Sequence, residues 1–370
     1  MRIGIDAKWL DRGPISGQVV VEGLLKGLRQ VAGTHEIHAF GDAARLAEDH
    51  PATIPHECHR GMSNFTANLF RLPRQGARLG LDAMVFQNWV PPRAKLARVA
   101  FVTDVSYLDH PEYFSRGERA VLRTGSRFLR HADWVSTISE TEHERLKRHA
   151  LLPAGRSGVV PLGVDRAYLR ESSKQAQIEV AHRHGLDGPY VLYVGRINMR
   201  KNLVRLIDGF LASHTAQTGV KLALAGREDG ASPDLRASLR AAGDRVVLTG
   251  FVESSDLPVL YAGSAAVAYV SLDEGFGLPP LEAMASGRPV LASRAGSLVE
   301  VTGGHAVLVD PMVTADIAHG IDDVVALSGN TAWLEDARRW AERFTWEKSA
   351  ARLLDQVERA VDRRHRARVK

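Results

Sequence analysis

The chain of 370 residues has few of the features that mark secreted or membrane-spanning proteins. It contains one cysteine, Cys58, so it cannot form an internal disulfide bond. The longest stretch without a charged residue, 257–272, is shorter than the roughly 20 apolar residues of a membrane-spanning helix. The first twelve residues carry five charged side chains where a signal peptide needs an apolar run. We therefore expect a cytoplasmic protein.

Several common signatures of metal and nucleotide sites are also missing. His56, Cys58 and His59 have no fourth ligand at a spacing that suits zinc, and the position four residues after His143 is Lys147, so the sequence has no HExxH motif there. Neither of the glycine-rich loops GxxxxGK-S/T and GxGxxG occurs. Zinc proteases, P-loop ATPases and simple dehydrogenases thus lose their main support, and we expect no metal site.

The positive charge of the chain is concentrated in its first half. The formal net charge is +5, of which residues 1–175 contribute +6 and residues 176–370 contribute −1. An anionic partner is therefore expected for the first half. Nucleic acid is not the expected partner, because no aromatic-rich basic strand, zinc-finger spacing or helix-turn-helix pattern accompanies the charge.

Short runs rich in Val, Ile and Leu alternate with longer segments of helical period, which predicts an α/β fold with parallel sheets covered by helices. The length favours two domains, with a hinge between residues 160 and 189. The predicted strands are Arg2–Asp6, Val99–Thr103, Val135–Ile138, Tyr190–Val194, Lys221–Ala225, Val246–Leu248, Ala266–Ser271, Pro289–Ser293 and Ala306–Val309. An amphipathic helix is predicted from Trp346 onward.

The segment 266–293 predicts a site for a phosphate or diphosphate. A buried strand leads into a glycine loop, two prolines suit the first turn of a helix, and Gly287 ends that helix. A helix that begins after a strand presents N–H groups and a positive dipole end to an anion. Glu274 in the loop and Glu282 in the helix would accept hydrogen bonds from sugar hydroxyls beside it. The alternative is a solvated glutamate at 274 and an ordinary helix glutamate at 282.

Two cations follow another predicted strand. Arg196 and Lys201 come just after a strand that ends at Gly195, where parallel sheets bind ligands at their carboxyl edge. Both charges complement a diphosphate and could stabilise it as a leaving group. The alternative is a pair of solvated surface cations.

Six motifs together resemble glycosyltransferase family 4, also called group 1, the large retaining family with GT-B architecture. They are EGFGLPPLEAMASGRPV from Glu274, VGRINMRKNL from Val194, LTGFV at Leu248–Val252, VVPLGVD from Val159, DHPEYF at Asp109–Phe114 and FTWEKSAARLL at Phe344–Leu354. The resemblance implies two Rossmann-like parallel-sheet domains that face each other across a cleft. Residues 1–166 would bind the acceptor, residues 167–345 would bind the nucleotide sugar, and residues 346–370 would form a helix that crosses back to the first domain.

The resemblance also implies roles for individual residues. Arg196 and Lys201 would bind the diphosphate and, with Glu274, form the catalytic group. Glu274 and Glu282 match the two glutamates of the E-x7-E signature, the first contacting hydroxyls of the donor sugar and the second the ribose. The remaining donor-binding positions are Gly275, Phe276, Gly277 and Leu278 beside the sugar and phosphate, and Gly250, Phe251 and Val252 beside the base.

The implied reaction moves a hexose or deoxyhexose of mannose, rhamnose or glucose type, with retention, from a GDP-, UDP- or dTDP-sugar. The acceptor would be a glycan or a lipid-diphosphate-linked glycan in surface polysaccharide biosynthesis. No cofactor is expected, because the chain lacks an Asp-x-Asp pair for a metal and two cations can serve the diphosphate instead. The alternatives are a nucleotide-sugar epimerase of the same architecture and a non-catalytic scaffold that binds nucleotide sugars.

The chain departs from the family pattern at two places in its first half. The family commonly has His-Asp after the strand that ends here at Val102, whereas this chain has Thr103 and Asp104. A 6-deoxy sugar such as rhamnose has one hydroxyl fewer to hold and is compatible with this change. The first glycine loop is also unusual, and Gly17 is its candidate glycine. Gly17, Thr103 and Asp104 form the predicted donor or acceptor loop, with a plain turn glycine as the alternative for Gly17.

A run of arginines lies outside these motifs. The spacing of three or four residues places them on one helical face, and they are Arg116, Arg119, Arg123, Arg127 and Arg130. One interpretation is a solvated charged face. The other is docking to an anionic membrane surface that carries the acceptor, which would place the protein at the inner face of the membrane.

Overall fold

The computed structural model describes residues 1–58, 64–227 and 232–369. The chain divides into two compact units. The first comprises Met1–Gly163 together with Phe344–Lys370, and the second is Val164–Arg343. The division points expected from the sequence, after residues 166 and 345, lie within a few residues of these.

The first unit is built on a seven-stranded parallel sheet with the order β3-β2-β1-β4-β5-β6-β7. Its strands are β1 (Arg2–Asp6), β2 (Glu36–Gly41), β3 (Ile54–Glu57), β4 (Ala83–Gln87), β5 (Ala97–Val102), β6 (Trp134–Thr137) and β7 (Ser157–Val159). In the centre, Ile3 of β1 is in register with Ile37 on one side and Ala83 on the other. All five residues of β4 are buried, since helices cover both faces of a parallel sheet.

The helices that cover this sheet lie mostly between its strands. They are α1 (Trp9–Arg12), α2 (Ile15–Val31), α3 (Ala43–Asp49), α4 (Asn64–Thr66), α5 (Leu72–Arg78), α6 (Arg116–Arg127) and α7 (Glu140–Arg148). Several begin at caps that the sequence encodes. Ser115 and Glu118 form a complete capping box at the start of α6, which satisfies two backbone N–H groups that would otherwise lack partners.

The second unit has a six-stranded parallel sheet with the order β10-β9-β8-β11-β12-β13. The strands are β8 (Tyr190–Val194), β9 (Lys221–Ala225), β10 (Val246–Gly250), β11 (Ala266–Tyr269), β12 (Val290–Ser293) and β13 (Val307–Val309). The order reverses between β8 and β11, the position at which open α/β sheets bind ligands. The predicted pair of Rossmann-like parallel-sheet domains is confirmed.

Eight helices of the second unit are described. They are α8 (Lys174–Arg183), α9 (Leu203–Ala212), α10 (Pro233–Ala242), α11 (Leu257–Gly263), α12 (Leu278–Ala285), α13 (Leu298–Thr302), α14 (Thr314–Ala326) and α15 (Thr331–Ala341). Gly287, with φ of +67°, follows the end of α12 as the sequence predicts.

All nine predicted strands are present, but four others were not predicted. The missed strands are β2, β3, β4 and β7. Three of them lack a clean apolar run: β2 contains His38, β3 contains Pro55 and lies at an edge of the sheet, and β7 has three residues. Proline has no N–H group, so a strand that contains it can pair fully on one side only and lies at an edge of the sheet. A proline therefore weakens the sequence pattern by which a strand is predicted.

The predicted C-terminal helix, α16 (Trp346–Val369), packs on α2 within the first unit. Its apolar side is buried, and these residues are Ala350, Leu353, Leu354, Val357 and Val361. The helices approach closely because α2 has glycine at the contact. A Cβ atom on Gly23 would lie 2.0 Å from Cε2 of Trp346, and one on Gly27 would lie 2.2 Å from its carbonyl oxygen. Among the described helices, none is both long enough and apolar enough to cross a bilayer.

We expect Gly23→Ala to lower the free energy of unfolding by about 1–3 kcal/mol, because the added methyl group overlaps the Trp346 indole and overpacking strains a dense core. The matched control is Gly117→Ala in α6, where no atom lies within 4 Å of the new Cβ. That change should be neutral or stabilise by about 0.5–1 kcal/mol through the helix propensity of alanine. Urea unfolding measures the free energy of unfolding of both variants. Equal changes in Gly23→Ala and Gly117→Ala would contradict the close packing of α2 on Trp346.

Candidate active site

The predicted donor-site residues of the second unit lie at the carboxyl ends of its strands. Arg196 and Lys201 follow β8, the segment Gly250–Val252 ends and follows β10, and Glu274 follows β11. Glu282 is in α12, the helix after that loop. Because carboxyl ends of parallel strands meet at one edge, the fold brings these segments to the same side of the sheet.

A buried ion pair joins Lys201 to Glu274. Nζ of Lys201 contacts Oε1 of Glu274 and donates a hydrogen bond of 2.6 Å to the hydroxyl of Tyr269. Lys201 is 7% exposed and Glu274 is 6% exposed. The alternatives of a solvated cation and a solvated glutamate are therefore wrong for these two residues. Arg196, in contrast, is exposed, so the two predicted cations lie in different surroundings.

The turn that carries Lys201 is held by its neighbour. Asn202 adopts a left-handed backbone with φ of +58°. Its side-chain amide donates to the carbonyl oxygens of Val270, at 3.1 Å, and Pro311, at 2.7 Å. These bonds tie the turn after β8 to the end of β11, so the lysine is fixed against the loop of Glu274.

Glu274 is held ionised by the cations around it. Burial would raise the pKa of this carboxyl group, but Lys201 and Arg200 outweigh burial and lower it. Its backbone is braced as well, since the hydroxyl of Ser297 donates to the carbonyl oxygens of Glu274, at 3.0 Å, and Phe276, at 2.6 Å. The ionised carboxylate of Glu274 is therefore a hydrogen-bond acceptor in the loop before α12.

The loop before α12 depends on glycine. Gly277 caps the helix with φ of +107°, and a Cβ there would lie 2.6 Å from a methyl carbon of Leu298. Pro279 and Pro280 lack N–H groups, so the amide of Leu278 is the first-turn donor that α12 offers to a ligand. The positive end of the helix dipole lies at the same place.

Glu282 has a different environment from Glu274, although only eight residues separate them. Oε2 of Glu282 accepts a hydrogen bond of 3.0 Å from the hydroxyl of Tyr261, and Tyr168 also hydrogen-bonds to this carboxyl group. Burial raises its pKa to about 7, while the two tyrosine hydroxyls oppose the shift and the charge of Asp165 adds to it. Glu282 thus changes charge near neutral pH.

The segment predicted to face the base, Gly250–Val252, has an exposed aromatic ring at its middle residue. Gly250 has φ of +71°, Phe251 is 41% exposed, and Val252 is buried. The guanidinium of Arg227 lies 4.6 Å from the centre of the Phe251 ring, which is cation–π distance. Phe251 and Arg227 thus present a flat cationic surface beside the end of β10.

Of the three predicted loop residues of the first unit, Gly17 is placed differently from the prediction, whereas Thr103 and Asp104 follow β5 as predicted. Gly17 is not in a loop but inside α2, where a Cβ would lie 2.7 Å from the Trp9 ring. The physical reason for this glycine is helix packing. Thr103 follows β5, and its backbone N–H donates at 3.3 Å to Oδ1 of Asn88. Asp104 accepts a bond of 2.8 Å from the N–H of Ser106.

The sequence analysis missed a buried polar cluster near these residues of the first unit. Asp6 ends β1 and is fully buried, and Lys8 contacts both Asp6 and Asn68. The amide of Asn68 donates at 3.2 Å to the carbonyl oxygen of Gln87, which ends β4. The sequence pattern that could have predicted this cluster is the presence of polar residues at the ends of two adjacent strands, β1 and β4.

Two family models match the chain. Residues 17–168 match Glycosyltransferase Family 4, and residues 174–345 match Glycosyl transferases group 1. The chain belongs to this family of glycosyltransferases. The matches cover most of both units, and the fold expected for such an enzyme is the one observed.

The enzyme resembles several known proteins over much of its length. The O-antigen chain mannosyltransferase B of Escherichia coli is 29% identical over 72% of this chain and 71% of its own. Matches to the next curated relatives span between about half and three fifths of those proteins. The structure of HepE from Anabaena in complex with UDP-glucose superposes with a TM-score of 0.74 at 20% identity, covering 97% of this chain and 99% of that one.

A second solved structure agrees on the fold. The sucrose-phosphate synthase of Thermosynechococcus elongatus has a TM-score of 0.75 at 21% identity and covers 96% of this chain and 98% of its own. At such identities the structures establish the fold of the glycosyltransferase and nothing finer.

The arginine run of the glycosyltransferase lies only partly on one helix. Arg116, Arg119, Arg123 and Arg127 are in α6, where their spacing keeps them on one face. Arg130 lies beyond α6 in the 3-10 turn Phe128–His131, so its predicted place on the same helical face is wrong. The α-helix changes there to a 3-10 turn before β6 begins.

The tyrosines that hold the candidate carboxylates of the enzyme were also missed. Tyr269 contacts Lys201, Tyr261 and Tyr168 contact Glu282, and Tyr193 stacks on Tyr269 with ring centres 5.7 Å apart. In the sequence, tyrosines in apolar runs are typical of core packing, so no signal separated these from ordinary core residues.

We expect Glu282→Gln to stabilise the glycosyltransferase at pH 8 but not at pH 4.5. Glu282 has a folded pKa of about 7 and an unfolded pKa of about 4.3. Between these values the folded state holds a proton that the unfolded state has lost, so the wild-type protein loses stability as pH rises. The neutral amide removes this loss, which amounts to about 3 kcal/mol above pH 7.

Urea unfolding at both pH values measures this difference. Glu253→Gln, at an exposed glutamate, is the control and should show no such pH dependence. An equal stability difference at both pH values for Glu282→Gln would contradict the raised pKa.

Proposed function

We propose that the enzyme transfers a hexose or deoxyhexose of mannose, rhamnose or glucose type, with retention, from a nucleoside-diphosphate sugar to a glycan or lipid-linked acceptor of surface polysaccharide. The observation that carries the proposal is the buried pair of Lys201 and Glu274 at the start of α12. The Escherichia coli relative is named for O-antigen chain mannosyl transfer, and a serotype-specific mannosyltransferase of the same species is 27% identical.

The charges around the pair suit a diphosphate leaving group. Breaking the bond between the sugar carbon and the phosphate oxygen builds positive charge on the sugar and negative charge on the diphosphate. Three cations, Arg196, Arg200 and Lys201, follow β8, and two carboxylates, Asp273 and Glu274, follow β11, so these two loops together carry a net positive charge. The dipole of α12 adds to it. In this reaction the cations take the role that a metal plays elsewhere, and no resident cofactor is needed.

The two glutamates would recognise hydroxyl groups in different ways. Glu274 is ionised and accepts strongly, so it suits hydroxyls of the donor sugar beside the diphosphate. Glu282, held by two tyrosines, would accept from the ribose. The exposed ring of Phe251 with Arg227 offers a stacking surface for the base. In the relative HepE, the bound molecule is UDP-glucose.

The test is a thermal-shift panel with GDP, UDP and dTDP and their common sugars, on wild type and on Glu274→Ala. A ligand that binds only the folded state raises the melting temperature by mass action. We expect one nucleotide to shift both proteins, and one sugar to add a shift that Glu274→Ala removes. Transfer by that variant should fall at least about 100-fold, since it loses a contact made to the reacting sugar.

Product analysis separates the proposal from its two alternatives. Transfer gives a glycosylated acceptor whose anomeric configuration matches that of the donor. An epimerase would convert the nucleotide sugar without any acceptor, and a scaffold would bind the nucleotide sugar with no turnover for every acceptor tried. Absence of a shift with any nucleotide at millimolar concentration would overturn the donor site itself.

We also propose that the arginine face of α6 contacts an anionic membrane surface. Arg116, Arg123 and Arg127 are exposed, and Arg119 is half-buried. Each basic side chain near an anionic surface contributes about 1 kcal/mol of attraction. The double variant Arg123→Gln/Arg127→Gln should therefore co-sediment less with phosphatidylglycerol vesicles than wild type.

The control for this experiment removes two exposed arginines elsewhere, as Arg240→Gln/Arg352→Gln. Equal losses in both double variants would show that only total charge matters. No binding by wild type at low salt would end the proposal.

A further inference from the structure

The first unit has a cleft at the amino edge of its sheet, opposite the edge to which catalytic and ligand-binding loops normally belong. Two adjoining cavities of about 300 and 530 Å³ share Arg363 and Ala367. They lie where β6 and β7 begin and where the last turns of α16 pass. Five arginines line this basic cleft, namely Arg156, Arg359, Arg363, Arg364 and Arg366.

One glutamine of α16 bonds the helix directly to these strands. Oε1 of Gln356 accepts bonds from the Trp134 indole, at 2.9 Å, and from the Ser136 hydroxyl, at 2.7 Å. Its amide donates to the carbonyl oxygen of Val159 at 3.2 Å. Arg359 and Arg363 follow at three and seven residues, on the same face of the helix. The arginines of α16 are therefore held beside the cleft by buried contacts.

The positive charge of the basic cleft exceeds its negative charge. Two aspartates, Asp133 and Asp362, also line it. Asp133 is already engaged twice, by Arg98 in two bonds of 3.0 and 3.2 Å and by Arg364 at 3.1 Å. Its charge is thus shared between two guanidinium groups, and Arg359 pairs with Asp355 at 2.9 Å. Among the described residues, Arg156, Arg363 and Arg366 form no ion pair.

Three of the lining arginines have guanidinium N–H groups that make few or no hydrogen bonds to described residues. Among the residues that the structure describes, Arg363 and Arg366 make no hydrogen bond or ion pair, and the side chain of Arg156 makes one bond of 3.2 Å, to the carbonyl oxygen of Ala132. Arg156 is partly buried. Burial lowers its pKa, and the neighbouring charge of Arg363 lowers it further. A half-buried cation beside another cation is unfavourable until an anion joins them.

We propose that the basic cleft binds the phosphate groups of an anionic ligand through Arg156, Arg363 and Arg366. Guanidinium groups match phosphate oxygens with paired N–H donors, and the binding is stronger in a partly desolvated cleft. The ligand is either a free phosphorylated molecule or a phosphate headgroup in a membrane. This site is independent of the proposed donor site, because all its residues belong to the first unit.

The experiment compares Arg363→Gln/Arg366→Gln with the control Arg352→Gln, an exposed arginine on α16 that does not line the cleft. Both changed positions of the double variant are exposed, so we expect it to fold normally. Pyrophosphate binding is measured by titration calorimetry at constant ionic strength, with UDP and GDP present to fill the donor site. Sedimentation with phosphatidylglycerol and phosphatidylcholine vesicles forms the second arm.

We expect one arm to show binding that weakens at least about tenfold in the double variant and less than twofold in the control. Loss of pyrophosphate binding indicates a soluble phosphorylated ligand, and loss confined to phosphatidylglycerol vesicles indicates a headgroup. Unchanged affinity in the double variant, equal losses in the control, or no binding by wild type in either arm would overturn the site. Because the readout is binding to the first unit, a failure of the donor-site proposal leaves this result intact.

Discussion

The ion pair between Lys201 and Glu274 is the interaction on which the candidate active site depends. Both groups are almost fully buried, and removing charges from water is costly unless they are paired and hydrogen-bonded. The hydroxyl of Tyr269 accepts a hydrogen bond from Lys201, and the bonds of Asn202 to backbone carbonyls hold the turn that carries the lysine. Removing one partner of such a pair typically costs about 3–5 kcal/mol, because the other charge is left buried. Loss of either residue would therefore affect both stability and ligand binding.

The second carboxyl group of the site shows the opposite use of burial. In the described part of the chain, the groups that lower the pKa of Glu282 are tyrosine hydroxyls and not cations. The pKa values of two glutamates eight residues apart are thus shifted in opposite directions, downward by cations for Glu274 and upward by desolvation for Glu282. Such divergence of neighbouring titratable groups is typical of functional sites.

Much of this could be predicted from the sequence because the strong signals are local. Buried parallel strands are apolar runs, so all nine predicted strands were found, whereas β2 and β3 were hidden by His38 and Pro55. Arg196, Lys201, Glu274 and Glu282 could be predicted as candidate site residues because they follow strands or lie in a motif. The ion pair between Lys201 and Glu274 was not predicted, because such pairing depends on which loops the strand order of the sheet brings together. The prediction for Gly17 was wrong because the sequence alone does not distinguish a turn glycine from a helix glycine. Here the glycine is needed inside α2, where the Trp9 ring packs against it.

The close contact of Trp346 with Gly23 and Gly27 has a consequence for how the chain is made. The first unit joins residues 1–163 to residues 344–369, while the second unit is one continuous stretch between them. Domains generally fold as units, and the whole second unit is synthesised before the first residue of α16. The surface of α2 around Gly23 therefore stays uncovered until α16 has been made and packs on it, so the first unit completes its core last.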